Sequence, residues 1–222
     1  MKNLSNRSRV RVVIFDCDGV LFDSRDANIA FYNKILAYFE KAPVRPEECD
    51  MVHMRTAQEC IEYFFRNDPR LQEAQRYRKN LRYDEFIPFV KQEPYLQEVL
   101  RALHRRYHLA IATNRTGSIH SILKVFDLEN HFDLVVCALD VEQPKPHPEA
   151  VWKILDHFGA AADETVYFGD TVVDQEVSVR SNVTFVAYRN PGLGAQYHVR
   201  TMQEVLLLLS NDNASDAWRC DS

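Results

Sequence analysis

The stretch VVIFDCDGVLFDS, residues 12–24, constrains this chain more than any other. Val12 to Phe15 are apolar without polar alternation, which describes a strand buried on both faces of a parallel sheet. The run stops at Asp16 and Asp18, and Asp23 follows, with no basic residue among them. Carboxylates gathered at the end of a buried strand repel one another strongly at low dielectric. A fold that keeps them there needs a positive partner for them.

Four further runs have the same buried, β-branched character: Leu109–Thr113, Leu134–Ala138, Thr165–Phe168 and Thr184–Ala187. The first strand extends over Val10–Phe15 on this reading. Helical spacing lies between the later runs. Leu96, Val99, Leu100 and Leu103 mark a helix over Tyr95–Tyr107. Ile119, Ile122, Leu123 and Phe126 mark Ser118–Phe126, and Val151, Ile154, Leu155 and Phe158 mark Glu149–Phe158. Strand–helix alternation predicts an α/β fold, a Rossmann-like doubly wound parallel sheet with helices on both faces.

Residues 24–93 break the alternation. They are too long for one crossover helix and contain amphipathic helical stretches but no convincing strand. The expected organisation is an α/β core from residues 1–23 and 94–209, a helical insert over 24–93 and a polar tail over 210–222. In the insert, ANIAFYNKILAYFEKA, TAQECIEYFF and RLQEAQRYRKNLRY each read as a helix.

Composition excludes several classes. A net charge of −5 argues against a general nucleic-acid binder. The longest apolar run, Val205–Leu209, falls far short of the roughly 20 residues that span a bilayer. The opening MKNLSNRSRV lacks the apolar centre of a signal peptide, so a cytoplasmic location is expected. The five cysteines form no C-x-x-C pair, which speaks against zinc, and their odd number and the missing signal speak against a disulfide framework. Cys17, between two aspartates, reads as a core residue, because nearby carboxylates keep its thiol protonated.

Ligands of open parallel sheets bind beyond the carboxyl ends of the strands. Asp16 and Asp18 follow the first strand, and Thr113, Asn114 and Arg115 close the second. Lys145 lies in the loop VEQPKPHPE after the third, and Asp170 and Asp174 in GDTVVD after the fourth. Singly these are ordinary turn, cap and surface residues. Together they converge on one edge of one sheet. An all-oxygen ligand set without thiolate or imidazole points to Mg²⁺. Lys145, the Thr113 hydroxyl and backbone N–H groups can hold a dianionic phosphate.

In this order the motifs resemble those of the haloacid dehalogenase superfamily of phosphohydrolases. DCDGV is similar to its first motif, the Thr of ATNR to its second, Lys145 in PKPHP to its third and GDTVVD to its fourth. The insert resembles the helical cap of the group that contains phosphoglycolate phosphatase and β-phosphoglucomutase. Taken with the charge argument, the resemblance implies that Asp16 is the nucleophile and Asp18 the general acid–base, its pKa raised by its neighbours. It implies that Thr113 and Lys145 hold the phosphoryl oxygens, with help from the Asn114 N–H. Asp16, the Asp18 backbone carbonyl and Asp170 would bind Mg²⁺, and Asp174 would steady the metal site or Lys145. His53, Arg55 and Thr56 stand where related caps place a specificity loop, and Arg115 either points into the pocket or caps the next helix. Asp23 and Ser24 are expected to cap the first helix of the insert.

The expected activity is a Mg²⁺-dependent phosphatase acting on a small phosphomonoester, phosphoglycolate by default, with no nucleic-acid or membrane partner and as a monomer or homodimer. A sugar phosphomutase is the alternative within enzymes. A receiver-like phosphoryl acceptor fits less well, because no aspartate directly follows Leu134–Ala138 and the insert is long.

Overall fold

A computed structural model of the chain describes residues 10–210. Strand β1 (Val12–Phe15) is wholly buried, and the chain leaves it through Gly19 into a short strand, β2 (Phe22–Asp23). Helices α1 (Arg25–Tyr38), α2 (Cys49–Met54), α3 (Ala57–Phe64) and α4 (Leu71–Asn80) follow, then a 3₁₀ segment, Tyr83–Phe89. Strand β3 (Lys91–Gln92) returns antiparallel to β2. The rest alternates: α5 (Leu96–His104), β4 (His108–Ala112), α6 (Ser118–Val125), β5 (Leu134–Val136), α7 (Glu149–Phe158), β6 (Thr165–Gly169), α8 (Val172–Ser181), β7 (Thr184–Tyr188), β8 (Tyr197–Val199) and α9 (Met202–Ser210).

The main sheet has the order β5-β4-β1-β6-β7-β8, and every pairing in it is parallel. Alternate residues of each central strand enter two separate cores. Val13, Phe15, Leu109, Ile111, Val166 and Phe168 pack with α5, α6 and α9. Val12, Ile14, Ala110, Ala112 and Tyr167 pack with α7 and α8. Burial on both sides is why the strands read as continuous apolar runs. Burying each large apolar side chain contributes about 1.5–3 kcal/mol.

Register positions the site. Phe15 pairs with Ile111 of β4 and with Phe168 of β6. The chain therefore passes Asp16, Thr113 and Asp170 at the same edge. The Asp16 N–H extends the ladder with a bond to the Phe168 carbonyl at 2.9 Å.

The five predicted strands are present, as are the three predicted helices of the core. Other elements went unread, α2 and α8 among them. β8 is a short edge strand just beyond the NPGLG turn, too brief to carry a period. The β2–β3 ribbon places a strand inside 24–93, contrary to the strand-free reading, and its two-residue length explains the miss. α9 holds the Val205–Leu209 run, of which Val205, Leu208 and Leu209 are buried and Leu207 is exposed. Of the expected tail, Ser210 closes α9 and residues 211–222 lie outside the described residues. Among the described residues no helix is long and apolar enough to cross a membrane.

Candidate active site

Two glycines allow the acidic cluster to close. Gly19 has φ +80°, and a Cβ on it would lie 2.0 Å from Asp170 Oδ2. A Cβ on Gly169 would meet the Asp174 Cβ at 2.3 Å. With those side chains absent, single carboxylate oxygens of Asp16, Asp170 and Asp174 all lie within 4.8 Å of one another.

Lys145 is the cation in their midst. Its Nζ is 2.9 Å from Asp16 Oδ1 and 2.7 Å from Asp174 Oδ1, and it donates to the Tyr167 hydroxyl at 3.0 Å. Asp174 is wholly buried, and its other oxygen accepts from the Thr171 N–H and hydroxyl at the start of α8. One ammonium cannot neutralise these carboxylates. Burial, opposed by Lys145 and reinforced by Asp174, Asp170 and Asp18, pushes the Asp16 carboxyl up to about 8. Burial also raises Asp170, against the pull of His53. Asp170 Oδ1 is buried with no hydrogen-bond partner. Surplus negative charge, oxygen donors only and an orphaned carboxylate oxygen fit a hard divalent cation.

The remaining core residues prepare the site differently from the sequence reading. Asp18 was expected to be raised. Burial does act upward, but Arg115, His53 and the Ser24 hydroxyl outweigh it, and the pKa falls below the usual carboxylate range. Arg115 is buried and donates to Asp18 Oδ1 through Nε at 3.0 Å and Nη2 at 2.5 Å. So Arg115 neither caps α6 nor stands free in the pocket. It is clasped from the helical layer: Nη2 reaches Asn28 Oδ1 at 3.1 Å, and the Tyr83 ring lies 4.9 Å from the guanidinium carbon. Tyr83 in turn donates to Asn28 Oδ1 at 2.8 Å. Ser24 stands at the N-cap position of α1 but makes no cap bond, because its hydroxyl goes to Asp18 Oδ1.

The Asn114 side chain is tied to Lys145. Its Oδ1 accepts from the Lys145 N–H at 2.9 Å, and its Nδ2 donates to the Lys145 carbonyl at 3.0 Å and to the Met54 carbonyl at 3.3 Å. Thr113 is buried, and its Oγ1 accepts from the Arg115 N–H at 3.1 Å. Cys17 is buried as expected, and burial with Asp18 beside it pushes its thiol well up.

From the helical layer, His53 reaches the acidic cluster, with Nε2 3.7 Å from Asp170 Oδ2. Burial acts to lower its pKa, but Asp170 and Asp18 prevail and raise it. Arg55 is exposed at the α2–α3 turn and lines the cleft. Thr56 also lines it, but its hydroxyl is committed to capping α3, donating to Glu59 Oε2 at 2.7 Å and accepting from the Glu59 N–H at 3.3 Å. The cleft between the two layers has a volume of about 780 Å³. Asp16, Asp18, Thr113, Asn114, Arg115, Lys145, His53, Arg55 and Thr56 all line it.

Tyr167, Tyr83, Asn28 and Ser24 were missed as site residues. Tyr167 sits in an apolar strand run, and only its phenol within a buried strand could have flagged a polar partner.

The family model for haloacid dehalogenase-like hydrolases matches residues 13–188. The chain belongs to this family. The hydrolase is 30% identical to pyrophosphatase PpaX of Halalkalibacterium halodurans over 219 residues, covering 89% of this chain and 95% of that one. It is 25% identical to phosphoglycolate phosphatase of Aquifex aeolicus, covering 78% of this chain and 81% of the other. Among solved structures, a subfamily IA hydrolase of the superfamily from Geobacter sulfurreducens superposes with a TM-score of 0.80 at 34% identity, covering 90% of this chain and 99% of that chain.

Proposed function

We propose that the enzyme is a Mg²⁺-dependent phosphatase that hydrolyses a small phosphomonoester through an aspartyl-phosphate on Asp16. The observation that carries this reading is the state of the Asp16 carboxylate. Its Oδ1 is held by Lys145 at 2.9 Å and by the Cys17 N–H at 2.7 Å, which leaves Oδ2 for attack on phosphorus. The relatives named as phosphatase and pyrophosphatase support phosphoryl chemistry.

Asp16, the Asp18 backbone carbonyl and Asp170 would hold the metal, and Asp174 orients Lys145. When bound, the ion supplies positive charge to the attacking carboxylate and the transferred phosphoryl group. Lys145 and the Thr113 hydroxyl bind and orient the phosphoryl oxygens. Arg115 and Ser24 fix Asp18 by one oxygen and favour its ionised form, so Oδ2 must take up a proton before passing it to the leaving oxygen, and it then takes one back from the attacking water. Asn28 and Tyr83 hold this arrangement from the helical layer, which also shields the reacting group from water.

The test is phosphate release from a panel of phosphomonoesters with and without Mg²⁺, using Asp16→Asn as control. Release that requires Mg²⁺ and vanishes in the variant is expected. Metal-independent release, or release that persists in Asp16→Asn, would overturn the reading.

A further inference from the structure

The charges that line the cleft divide into those already paired and those left over. Arg115 is paired with Asp18, Lys145 with Asp16, and Arg82 with Asp84 at 2.7 Å. Arg55, Arg78 and Lys79 remain, against Glu142 as the one unpaired carboxylate among the described lining residues. The cap-side wall therefore carries surplus positive charge.

Arg78 is the cation of the three that the fold holds in place. It is partly buried on α4, and its Nε donates to Gln75 Oε1 at 3.0 Å. That bond fixes the guanidinium without neutralising it. Burial pulls its pKa below the usual arginine range, and its electrostatic neighbours, Tyr32 and Cys60, are neutral groups rather than carboxylates. A partly buried cation without a counter-ion is costly, and an incoming anion removes that cost. The two terminal nitrogens form a planar fork that matches carboxylate and phosphate. The cleft, at about 780 Å³, falls in the range of roughly 300–1,000 Å³ that holds drug-sized ligands, more room than a phosphoryl group alone requires.

Resting on the phosphatase reading above, we propose that Arg78 is a specificity-determining residue that seats a second anionic group, phosphate or carboxylate, on the leaving side of the substrate, with Arg55 as the second cation of that subsite. Lys145 and Thr113 keep the transferred phosphoryl group at the other end. A neutral leaving group leaves Arg78 uncompensated, so the enzyme discriminates against it.

The experiment is calorimetric titration, at saturating Mg²⁺, with three probes that cannot be hydrolysed. Methylphosphonate carries one anionic group, phosphonoacetate adds a carboxylate and methylenediphosphonate adds a second phosphonate. The wild-type enzyme is expected to bind at least one of the two-headed probes about tenfold more tightly than methylphosphonate, which corresponds to ~1.4 kcal/mol. The stronger of the two tells which second group the subsite takes. Arg78→Met is expected to remove the preference and leave methylphosphonate affinity within about twofold, and Arg78→Lys to retain part of it. In turnover, Arg78→Met raises KM for the preferred two-headed ester or anhydride about tenfold with kcat nearly unchanged, and leaves p-nitrophenyl phosphate unaffected. Equal binding of all three probes by the wild-type enzyme overturns the proposal. So does a preference that survives in Arg78→Met, or an equal loss on every probe. If the wild-type enzyme hydrolyses no ester yet keeps the Arg78-dependent preference, the phosphatase reading falls and the subsite stands. If it hydrolyses p-nitrophenyl phosphate with Mg²⁺ but shows no preference, the subsite falls and the phosphatase reading stands.

Discussion

The two walls of the cleft are built in opposite ways. On the sheet side, Lys145 touches two carboxylates and a phenol, Asn114 is tied to the Lys145 backbone, and Asp18 is gripped by Arg115 and Ser24. On the helical side, Arg55, Lys79 and Arg82 are exposed, and among the described residues the Arg78 side chain has one hydrogen bond, to Gln75. Under the proposed function and subsite, the contrast follows from what each wall does. A reacting group misplaced by about 1 Å can cost 10²-fold in rate, so catalytic side chains need several partners each. Recognition of a leaving group needs charge of the right sign within reach, and an exposed wall supplies it while leaving room for different ligands.

The contrast can be broken most directly at Asp16. Asp16→Asn is expected to lower turnover by roughly 10⁴-fold or more with the fold intact, as seen by circular dichroism and steady-state kinetics. Substantial remaining activity would mean that the sheet wall is not where bonds change. Lys145→Met comes next. It leaves buried carboxylates without their cation, and urea denaturation should show a loss of about 3–5 kcal/mol. A loss below ~1 kcal/mol would indicate that protons already compensate the cluster in the metal-free protein.

Smaller effects sharpen the boundary between the walls. Tyr83→Phe removes one hydrogen bond to Asn28, and its expected cost is about 1 kcal/mol in stability together with a reduced kcat, because Asn28 also receives Arg115. A kcat equal to that of the wild type would detach the clasp from the chemistry. Arg82→Ala breaks an exposed pair with Asp84 and should change stability by no more than about 0.5 kcal/mol. An effect as large as that of Tyr83→Phe would erase the difference between the buried clasp and the exposed charges of the helical wall.

Much of the sheet wall could be read in the linear chain, because its residues follow strand ends. Asp16, Thr113, Lys145 and Asp170 each sit a few residues past an apolar run, and parallel register carries all four to one edge. The chemistry of Arg115 could not be read that way. Its partner Asp18 is 97 residues away in sequence, and the clasp needs Asn28 and Tyr83 from two further segments. Local context also misjudged Ser24 beside Thr56. Both stand at helix starts, yet only Thr56 caps its helix, because Asp18 lies within reach of the Ser24 hydroxyl.

What the sequence determined by itself was therefore the part governed by short-range period and type: buried parallel strands, the helical stretch between the first two of them, and a converging set of carboxylates with one lysine. Tertiary structure alone decided the protonation bias of each carboxylate. Asp16 and Asp18 are two residues apart and similarly buried, yet one pKa rises and the other falls. Asp16 shares Lys145 with another carboxylate, whereas the Arg115 guanidinium meets Asp18 through two of its nitrogens. The sign of each shift rests on which cation the fold brings within about 3 Å, and sequence spacing does not encode that distance.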